Sequence, residues 1–185
     1  MAITAAQVKE LREMSGAGMM DCKKALTNTD GDLDKAMEFL RENGLAKAAK
    51  KAGRIAAEGI VATNVNADSK SASIVEVNSE TDFVAKNEVF QNFVAEVAAQ
   101  AASTKATDIE AFLAEPWAKD SSVTVDETLK NMIAKIGENM NIRRFEKVTQ
   151  EDGIVVSYIH AGGKIGVLIA AQTQSDSAEV VECLK

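Results

Sequence analysis

Apolar residues recur at spacings of three and four through the first fifty residues of the chain, a pattern typical of amphipathic helices. Thr4 and Gln7 form a capping-box pattern at the start of the first helix, and glycines end that helix at residues 16–18. A second helix is predicted over residues 19–27, and a third ends at Asn43–Gly44, because an Asn-Gly pair suits a helix C-cap. The side chains expected to face the core are Val8, Leu11, Met14, Met19 or Met20, Cys22, Ala25, Leu26, Leu33, Ala36, Met37 and Leu40. The pattern therefore predicts three short helices around a small core.

Residues 45–54 are rich in alanine and lysine and predict a helix that leads out of this bundle. One side of it carries a basic stripe at helical spacing, formed by Lys47, Lys50, Lys51 and Arg54. The favoured interpretation is a solvated linker helix, and a stripe that contacts RNA is the alternative. With the three helices before it, this segment completes a predicted domain of residues 1–54.

From Gly59 onward the hydrophobic pattern changes from helical to strand-like. Strands over residues 60–65 and 73–77, joined by a polar turn, lead into an amphipathic helix over residues 87–102. Further elements follow in order: a short helix ended by Pro116, a loop anchored by Trp117, a helix opened by Thr124 and Glu127 and broken at Gly137, strands over residues 142–148, 154–159 and 164–173, and a helix over residues 177–185. The pattern predicts an α+β core of antiparallel strands and helices. Residues 55–141 are expected to form the N-terminal half of this core, and residues 142–185 the start of its C-terminal half.

The stretch of residues 79–86 lies at the corner between a predicted strand and a predicted helix, where side chains can be presented outward on a rigid support. Asp82 stands close to a helix start, where a carboxylate stabilises the helix dipole. Phe83 precedes Phe90 by seven residues, so helical periodicity favours a place in the buried stripe. The alternative interpretation is an exposed acidic-aromatic pair in which Phe83 inserts into a partner, as aromatic anchors of interfaces do.

Composition narrows the classes of function. Charged residues make up 26% of the chain and aromatic residues 4%, which suits a folded, helix-rich protein rather than a disordered one. The net charge of −7 argues against wholesale nucleic-acid binding. Two cysteines far apart, Cys22 and Cys183, favour a reduced chain over a disulfide-stapled one. The sequence shows neither a secretory signal nor an apolar run of about 18 residues that could span a membrane, so a cytoplasmic chain is expected.

Residues that could carry catalysis are sparse. The only histidine, His160, stands at the end of a predicted strand, where a lone histidine is usually structural or a surface residue. No nucleophile-histidine-carboxylate arrangement or cluster of metal ligands is legible in the sequence. The glycines at 162, 163 and 166 predict a hairpin turn and lack dinucleotide-binding spacing. A binding or regulatory protein is therefore favoured over an enzyme, and no cofactor is expected.

The N-terminal helices resemble a ubiquitin-associated-type bundle in the GAGMM turn at residues 16–20 and in the ALTNTDGD join at residues 25–32. Such bundles usually bind another protein. This resemblance leaves a protein adaptor as one alternative function, beside the RNA-associated module.

Three stretches together closely resemble the bacterial elongation factor Ts family: GAGMMDCKKAL at residues 16–26, TDFVAK at residues 81–86 and IGENMNIRR at residues 136–144. The resemblance begins near Ile3 and runs to the end of the chain. It departs from the family pattern in the loop of residues 104–123 and in the Ala161-Gly162-Gly163 turn. Family members usually continue through a helical hairpin and a C-terminal module, so the chain is expected to be a fragment or a shortened variant.

The resemblance implies guanine-nucleotide exchange on the GTPase elongation factor Tu, without bond chemistry. Residues implied to disturb the partner's magnesium site are Thr81, Asp82, Phe83 and Val84, and residues implied to bind the partner are Lys23, Ile136, Gly137 and His160. No direct contact with nucleic acid and no membrane partner are expected, and a homodimer through a C-terminal region absent here is left open.

Overall fold

The computed structural model describes residues 3–184, which form two units. Among the described residues, the first unit contains residues 3–53 together with Leu129–Asn139, and the second contains Arg54–Thr128 and residues 140–184. The helices are α1 (Ala5–Ser15), α2 (Met19–Asn28), α3 (Leu33–Lys51), α4 (Asp82–Ala85), α5 (Glu88–Ser103), α6 (Ile109–Ala114), α7 (Val125–Ile136) and α8 (Ala178–Leu184). The strands are β1 (Glu58–Val65), β2 (Ser71–Ser79), β3 (Pro116–Trp117), β4 (Asp120–Thr124), β5 (Met140–Thr149), β6 (Gly153–His160) and β7 (Ile165–Gln172). The predicted α+β class, with an N-terminal helical region, is confirmed.

The first unit packs α1, α2 and α3 around a small apolar core. The capping box predicted at Thr4 is present, since the Thr4 hydroxyl accepts from the Gln7 amide and the Gln7 side chain accepts from the Thr4 amide. Gly16 ends α1 with a left-handed φ of 64°. The buried core consists of Val8, Leu11, Cys22, Ala25, Leu26 and Ala36, as the helical spacing predicted.

Three methionines predicted as inward-facing candidates are exposed instead: Met14, Met19 and Met20. Ala17, which precedes α2, is partly buried and packs against this core. Gly18 is the N-cap of α2, so Met19 and Met20 lie in the first turn of the helix. They precede the residues of α2 that are buried, which are Cys22, Ala25 and Leu26. The expectation that one of the pair faces inward is therefore wrong.

The predicted helix end at Asn43–Gly44 is also wrong, because α3 continues to Lys51 and includes residues 45–51 of the segment predicted as a separate linker helix. Gly44 is buried in the middle of α3. A Cβ atom at this position would lie 3.5 Å from Ala134 Cβ and from Asn131 Oδ1, both on α7. The glycine therefore serves close helix packing, and tertiary contact carries the helix through a residue of low helix propensity.

In the second unit, β1, β2 and β5 form an antiparallel sheet with β2 in the middle. Alternate residues of β2 face opposite sides of this sheet. The Ser73 hydroxyl donates to the Ala98 carbonyl of α5 at 2.7 Å, whereas the Ile74 side chain lies against Gly166 of β7. Helix α5 thus covers one face of the sheet, and the antiparallel β6–β7 hairpin covers the other. The bounds of β1, β2, α5, β5, β6 and β7 agree with the predicted elements within a few residues.

The segment between α5 and α7 holds a small hairpin, β3–β4, that the hydrophobic pattern did not predict. A strand of two residues, Pro116–Trp117, is too short to show any periodicity. Trp117 is nevertheless buried and packs on Phe93, with ring centroids 6.0 Å apart, as expected of a core anchor. The capping box at Thr124 and Glu127 is present, and α7 ends before Gly137 as predicted. Lys185, the predicted end of the last helix, lies outside the described residues.

Candidate functional site

The corner of residues 79–86 is built from two caps on either side of one helical turn. The Ser79 hydroxyl, at the end of β2, donates to the Thr81 carbonyl at 3.0 Å. Thr81 is the N-cap of α4, and its hydroxyl accepts from the Val84 amide. Asn87 then caps α5, accepting from the Val89 amide at 2.8 Å. Because each helix has its own cap, α4 and α5 are separate elements.

Phe83 projects from this corner with 81% of its surface exposed, whereas Val84 and Ala85 are buried. The interpretation that placed Phe83 in the core stripe is therefore wrong. Its seven-residue offset from Phe90 spans the break between α4 and α5, so the two side chains do not lie on one continuous helix face. Burial of Val84 and Ala85 fixes α4 to the protein and leaves the aromatic ring directed to solvent.

Asp82 is partly exposed and forms an ion pair with Lys86, with 2.7 Å between Oδ2 and Nζ. The hydrogen bond from Lys86 and its charge hold the pKa of the Asp82 carboxyl below its usual range. The same contact raises the pKa of Lys86. Asp82 lies in the first turn of α4, as predicted, but its main electrostatic partner is Lys86 rather than the end of the helix.

The turn between β6 and β7 has three consecutive residues with left-handed φ values: 49° at Ala161, 64° at Gly162 and 92° at Gly163. The Gly163 amide closes the turn on the His160 carbonyl at 3.2 Å, and the Gly163 carbonyl accepts from the Val61 amide of β1 at 2.7 Å. A left-handed φ at a residue with a side chain, here Ala161, costs roughly 1 kcal/mol or more, and the hydrogen bonds of the turn together with its contact on β1 offset that cost.

His160 is exposed at the last position of β6. Its Nδ1 lies 2.9 Å from the Tyr158 hydroxyl, and the two rings stack with centroids 5.8 Å apart. Tyr158 therefore orients the imidazole on the surface. Ile165 and Val167, which pair with His160 and Tyr158 across the hairpin, are also exposed, so this face of β6–β7 presents apolar side chains beside a polar Tyr158–His160 pair.

The corner and the β6–β7 turn meet at the start of β1. Helix α4 packs against β1, and Lys164 of the turn forms an ion pair with Glu58, the first residue of that strand. The Asp82–Lys86 and Glu58–Lys164 ion pairs also influence one another, since Lys164 lowers the pKa of Asp82 and Glu58 raises the pKa of Lys86. The second unit therefore brings the predicted site residues 81–84 and the turn that carries His160 onto one strand end.

Lys23, Ile136 and Gly137 belong to the first unit. Lys23 is exposed on α2. Ile136 is partly exposed at the end of α7, and Gly137 follows with a φ of 91°, its amide donating to the Ile133 carbonyl at 2.9 Å. Each is thus accessible on its own unit, and their action together with the corner stays a prediction.

Three charged residues of the site were missed in the sequence: Lys86, Glu58 and Lys164. The spacing of Asp82 and Lys86, four residues apart, was a legible signal of an ion pair once a helix is assumed. Glu58 and Lys164 are 106 positions apart, and no local pattern links them. Only the packing of the β6–β7 hairpin on the sheet brings them together.

Other kinds of site are not evident within residues 3–184. No group of three or more His, Cys, Asp or Glu side chains in this part of the chain could hold a metal ion. No helix of the described chain is both long and apolar enough to cross a membrane. Cys22 is buried and Cys183 exposed, and both are free thiols.

Comparison with known proteins supplies a family. Residues 80–185 match the family model described as elongation factor TS. The chain is 57% identical over 175 residues to elongation factor Ts of Clostridium tetani (strain Massachusetts / E88), which covers 95% of this chain and 58% of that protein. It is also 57% identical over 183 residues to elongation factor Ts of Clostridium perfringens (strain SM101 / Type A), with 99% of this chain and 60% of the relative covered. The chain spans about three fifths of the length of the curated relatives it matches.

Proposed function

The chain belongs to the elongation factor Ts family, and we propose that it binds the GTPase elongation factor Tu and accelerates the release of GDP. GTP then binds in its place during translation elongation in the cytoplasm. No bond is made or broken by the chain itself, so it acts as a binding protein and not as an enzyme. Both the partner and the contact residues are what the family resemblance implies, and the exposure of Phe83, His160 and Lys23 supports their role.

Exchange follows from linked binding equilibria. A protein that binds the nucleotide-free GTPase more tightly than the GDP-bound form weakens GDP binding by the same factor. Typical couplings of this kind amount to about 1–3 kcal/mol, or roughly 5- to 150-fold in affinity. The chain therefore needs only a contact that is compatible with the empty nucleotide site and incompatible with the occupied one.

The observation that carries the proposal is the exposure of Phe83 on a rigid corner. An aromatic side chain with 81% of its surface in water gains most from a partner pocket, and the buried neighbours Val84 and Ala85 limit the entropy lost on binding. We place the ring against the elements of the GTPase that hold the magnesium ion. Asp82 supplies a carboxylate beside the ring, which can exchange its partner Lys86 for a polar group of the GTPase.

Displacement of the magnesium ion leaves the phosphate charge of GDP without its counter-ion, so the nucleotide dissociates faster. Thr81 and Val84 contribute by holding Asp82 and Phe83 in place, one through the cap and the other through burial. His160, from the neighbouring turn, and Lys23, Ile136 and Gly137, from the first unit, act as further contacts that raise affinity for the partner.

The test is the rate of GDP release from elongation factor Tu, followed with a fluorescent GDP analogue, with and without the chain. We expect the wild-type chain to accelerate release, and excess magnesium to reduce that acceleration. Phe83→Ala should lose most of the acceleration while it folds normally. A wild-type chain that leaves the release rate unchanged would contradict the proposal.

Ile55 offers a matched control, because it is 84% exposed in the same unit and is also apolar. If exposed apolar surface in general drives association, Ile55→Ala and Phe83→Ala should reduce exchange alike. The proposal requires Ile55→Ala to behave like the wild type. It also requires Asp82→Ala to act in the same direction as Phe83→Ala and the double variant to be non-additive.

A further inference from the structure

The β6–β7 turn is fixed to β1 by three contacts that converge on the first residues of the strand. Lys164 Nζ donates to Glu58 Oε2 and, at 3.4 Å, to the Gly59 carbonyl. The Gly163 carbonyl accepts from the Val61 amide at 2.7 Å. The backbone on the other side of Lys164 runs through the left-handed residues 161–163 to His160. Hydrogen bonds inside the turn, from the Gly163 amide to the His160 carbonyl and from the Lys164 amide to the Ala161 carbonyl, shape it, and the contacts with Glu58, Gly59 and Val61 hold it on β1.

The corner is attached to the same strand end. Helix α4 packs on β1, and the Asp82–Lys86 pair lies close enough to Glu58 and Lys164 for the four charges to act on one another. Two ion pairs thus belong to the elements attached to this strand end, Lys86–Asp82 on the corner and Lys164–Glu58 at the turn. The corner that carries Phe83 and the turn that carries His160 are both attached to β1. Strand β1 therefore sets the position of His160 relative to Phe83.

We infer that Lys164 is a positioning residue for nucleotide exchange: its contacts with Glu58 and Gly59 hold the β6–β7 turn on β1, so that His160 and the Phe83 corner reach one surface of the GTPase together. The inference rests on the proposed function for its role in exchange, but the tether itself is a property of the free chain. Lys164 touches neither nucleotide nor magnesium in this scheme, and it acts through the placement of His160.

The tether is tested in the free chain by amide hydrogen exchange measured by NMR. The Val61 amide, which donates to Gly163, reports opening of the turn, and the Asn66 amide, which donates to the Ser71 carbonyl at the other end of β1, is the internal control. Loss of a partly exposed ion pair should accelerate exchange at Val61 by up to about fivefold in Lys164→Met. Asn66 should be unaffected, and Lys164→Arg should retain the protection of Val61. Equal protection of Val61 in wild type and Lys164→Met would overturn the tether.

The role in exchange is tested with elongation factor Tu. Lys164→Met should lower kcat/KM for GDP release by up to about fivefold with an unchanged thermal midpoint, since the ion pair is partly exposed. Lys164→Arg should restore the rate. Adding His160→Ala to Lys164→Met should cost little more than the larger single effect, and Glu58→Gln should be non-additive with Lys164→Met. Full additivity with His160→Ala, or a wild-type rate in Lys164→Met, would overturn the positioning role.

Lys119 provides the matched control, because its ion pair with Glu96 of α5 has the same length as the Lys164–Glu58 pair. The Lys119–Glu96 pair involves neither the corner nor the β6–β7 turn. Lys119→Met should leave both Val61 protection and GDP release unchanged. An equal loss in Lys119→Met would show that removal of any exposed lysine has this effect and would overturn the inference. If the wild-type chain fails to stimulate GDP release, the proposed function fails, and protection of Val61 still decides whether Lys164 holds the turn.

Discussion

Lys86 Nζ lies 2.7 Å from Asp82 Oδ2, four residues along the corner and next to the exposed Phe83 ring. The contact is the largest influence on the protonation of both groups. It therefore links the charge of the corner to its geometry, because the lowered pKa of Asp82 keeps the carboxylate ionised at a lower pH than usual.

The first prediction concerns the pKa of Asp82. The folded-state pKa is lowered, so the pair's contribution is present above the ordinary value of 3.8 and is lost as the pH falls through the lowered pKa. Lys86 has a raised pKa, so its contribution is present below 10.5 and is lost as the pH rises through the raised value. A carboxyl ¹³C titration should give a midpoint for Asp82 below 3.8, and Lys86→Met should raise it. An unchanged midpoint in Lys86→Met would show that another group lowers the pKa.

Neighbouring residues of the corner should differ sharply in their effect on stability. Phe83→Ala should change the free energy of unfolding by less than about 0.5 kcal/mol, because the ring is exposed. Val84→Ala should cost about 1–2 kcal/mol, because it removes buried methyl groups. Urea unfolding of both variants at one protein concentration makes the comparison. A larger loss in Phe83→Ala than in Val84→Ala would return Phe83 to the core.

Two glycines of the β6–β7 turn provide a test of close packing. A Cβ at Gly163 would lie 3.0 Å from Ile60 Cβ at a φ of 92°, whereas a Cβ at Gly162 would meet nothing within 4 Å at a φ of 64°. Gly162→Ala should cost about 1 kcal/mol for the left-handed backbone alone. Gly163→Ala should cost more, about 1–3 kcal/mol, since steric strain is added. Thermal unfolding measures both, and equal losses would show that Ile60 moves aside without cost.

Gly44 should tolerate a methyl group but not a larger side chain. Its Cβ position has only ordinary contacts with α7, and the residue lies inside a helix. Gly44→Ala should therefore stabilise the chain by about 0.5–1 kcal/mol through the gain in helix propensity. Gly44→Leu should destabilise it, because the buried site has no room. A destabilised Gly44→Ala would indicate that α3 and α7 require closer contact than the 3.5 Å distances suggest.

Lys23 and Lys24 are adjacent exposed lysines on α2, and they separate a specific contact from general charge. Lys23→Ala should weaken binding to elongation factor Tu by about fivefold or less, as expected for a solvent-exposed ion pair across an interface. Lys24→Ala serves as the control and should bind like the wild type. Titration calorimetry gives both affinities, and equal affinities for Lys23→Ala and wild type would remove Lys23 from the site.

Much of the fold could be predicted because local patterns and tertiary packing agree. The capping boxes at Thr4 and Thr124 and the alternating strands depend on neighbours within a few positions, and these are legible in any sequence. The prediction failed where packing overrides local preference. Gly44 remains helical because α7 lies against it, although an Asn-Gly pair favours a helix end.

The candidate site divides in the same way. The sequence determined that residues 79–86 form a strand-to-helix corner, since the apolar periods change there, and the family resemblance marked the same residues. Tertiary structure alone decided that Phe83 faces water, because the caps at Thr81 and Asn87 separate α4 from α5 and break the helical phase with Phe90. It also decided that Lys164 meets Glu58, because residues this distant in sequence become neighbours only when the β6–β7 hairpin packs on the sheet. Periodicity describes a side chain's direction within one element, and it carries no information across a break between elements.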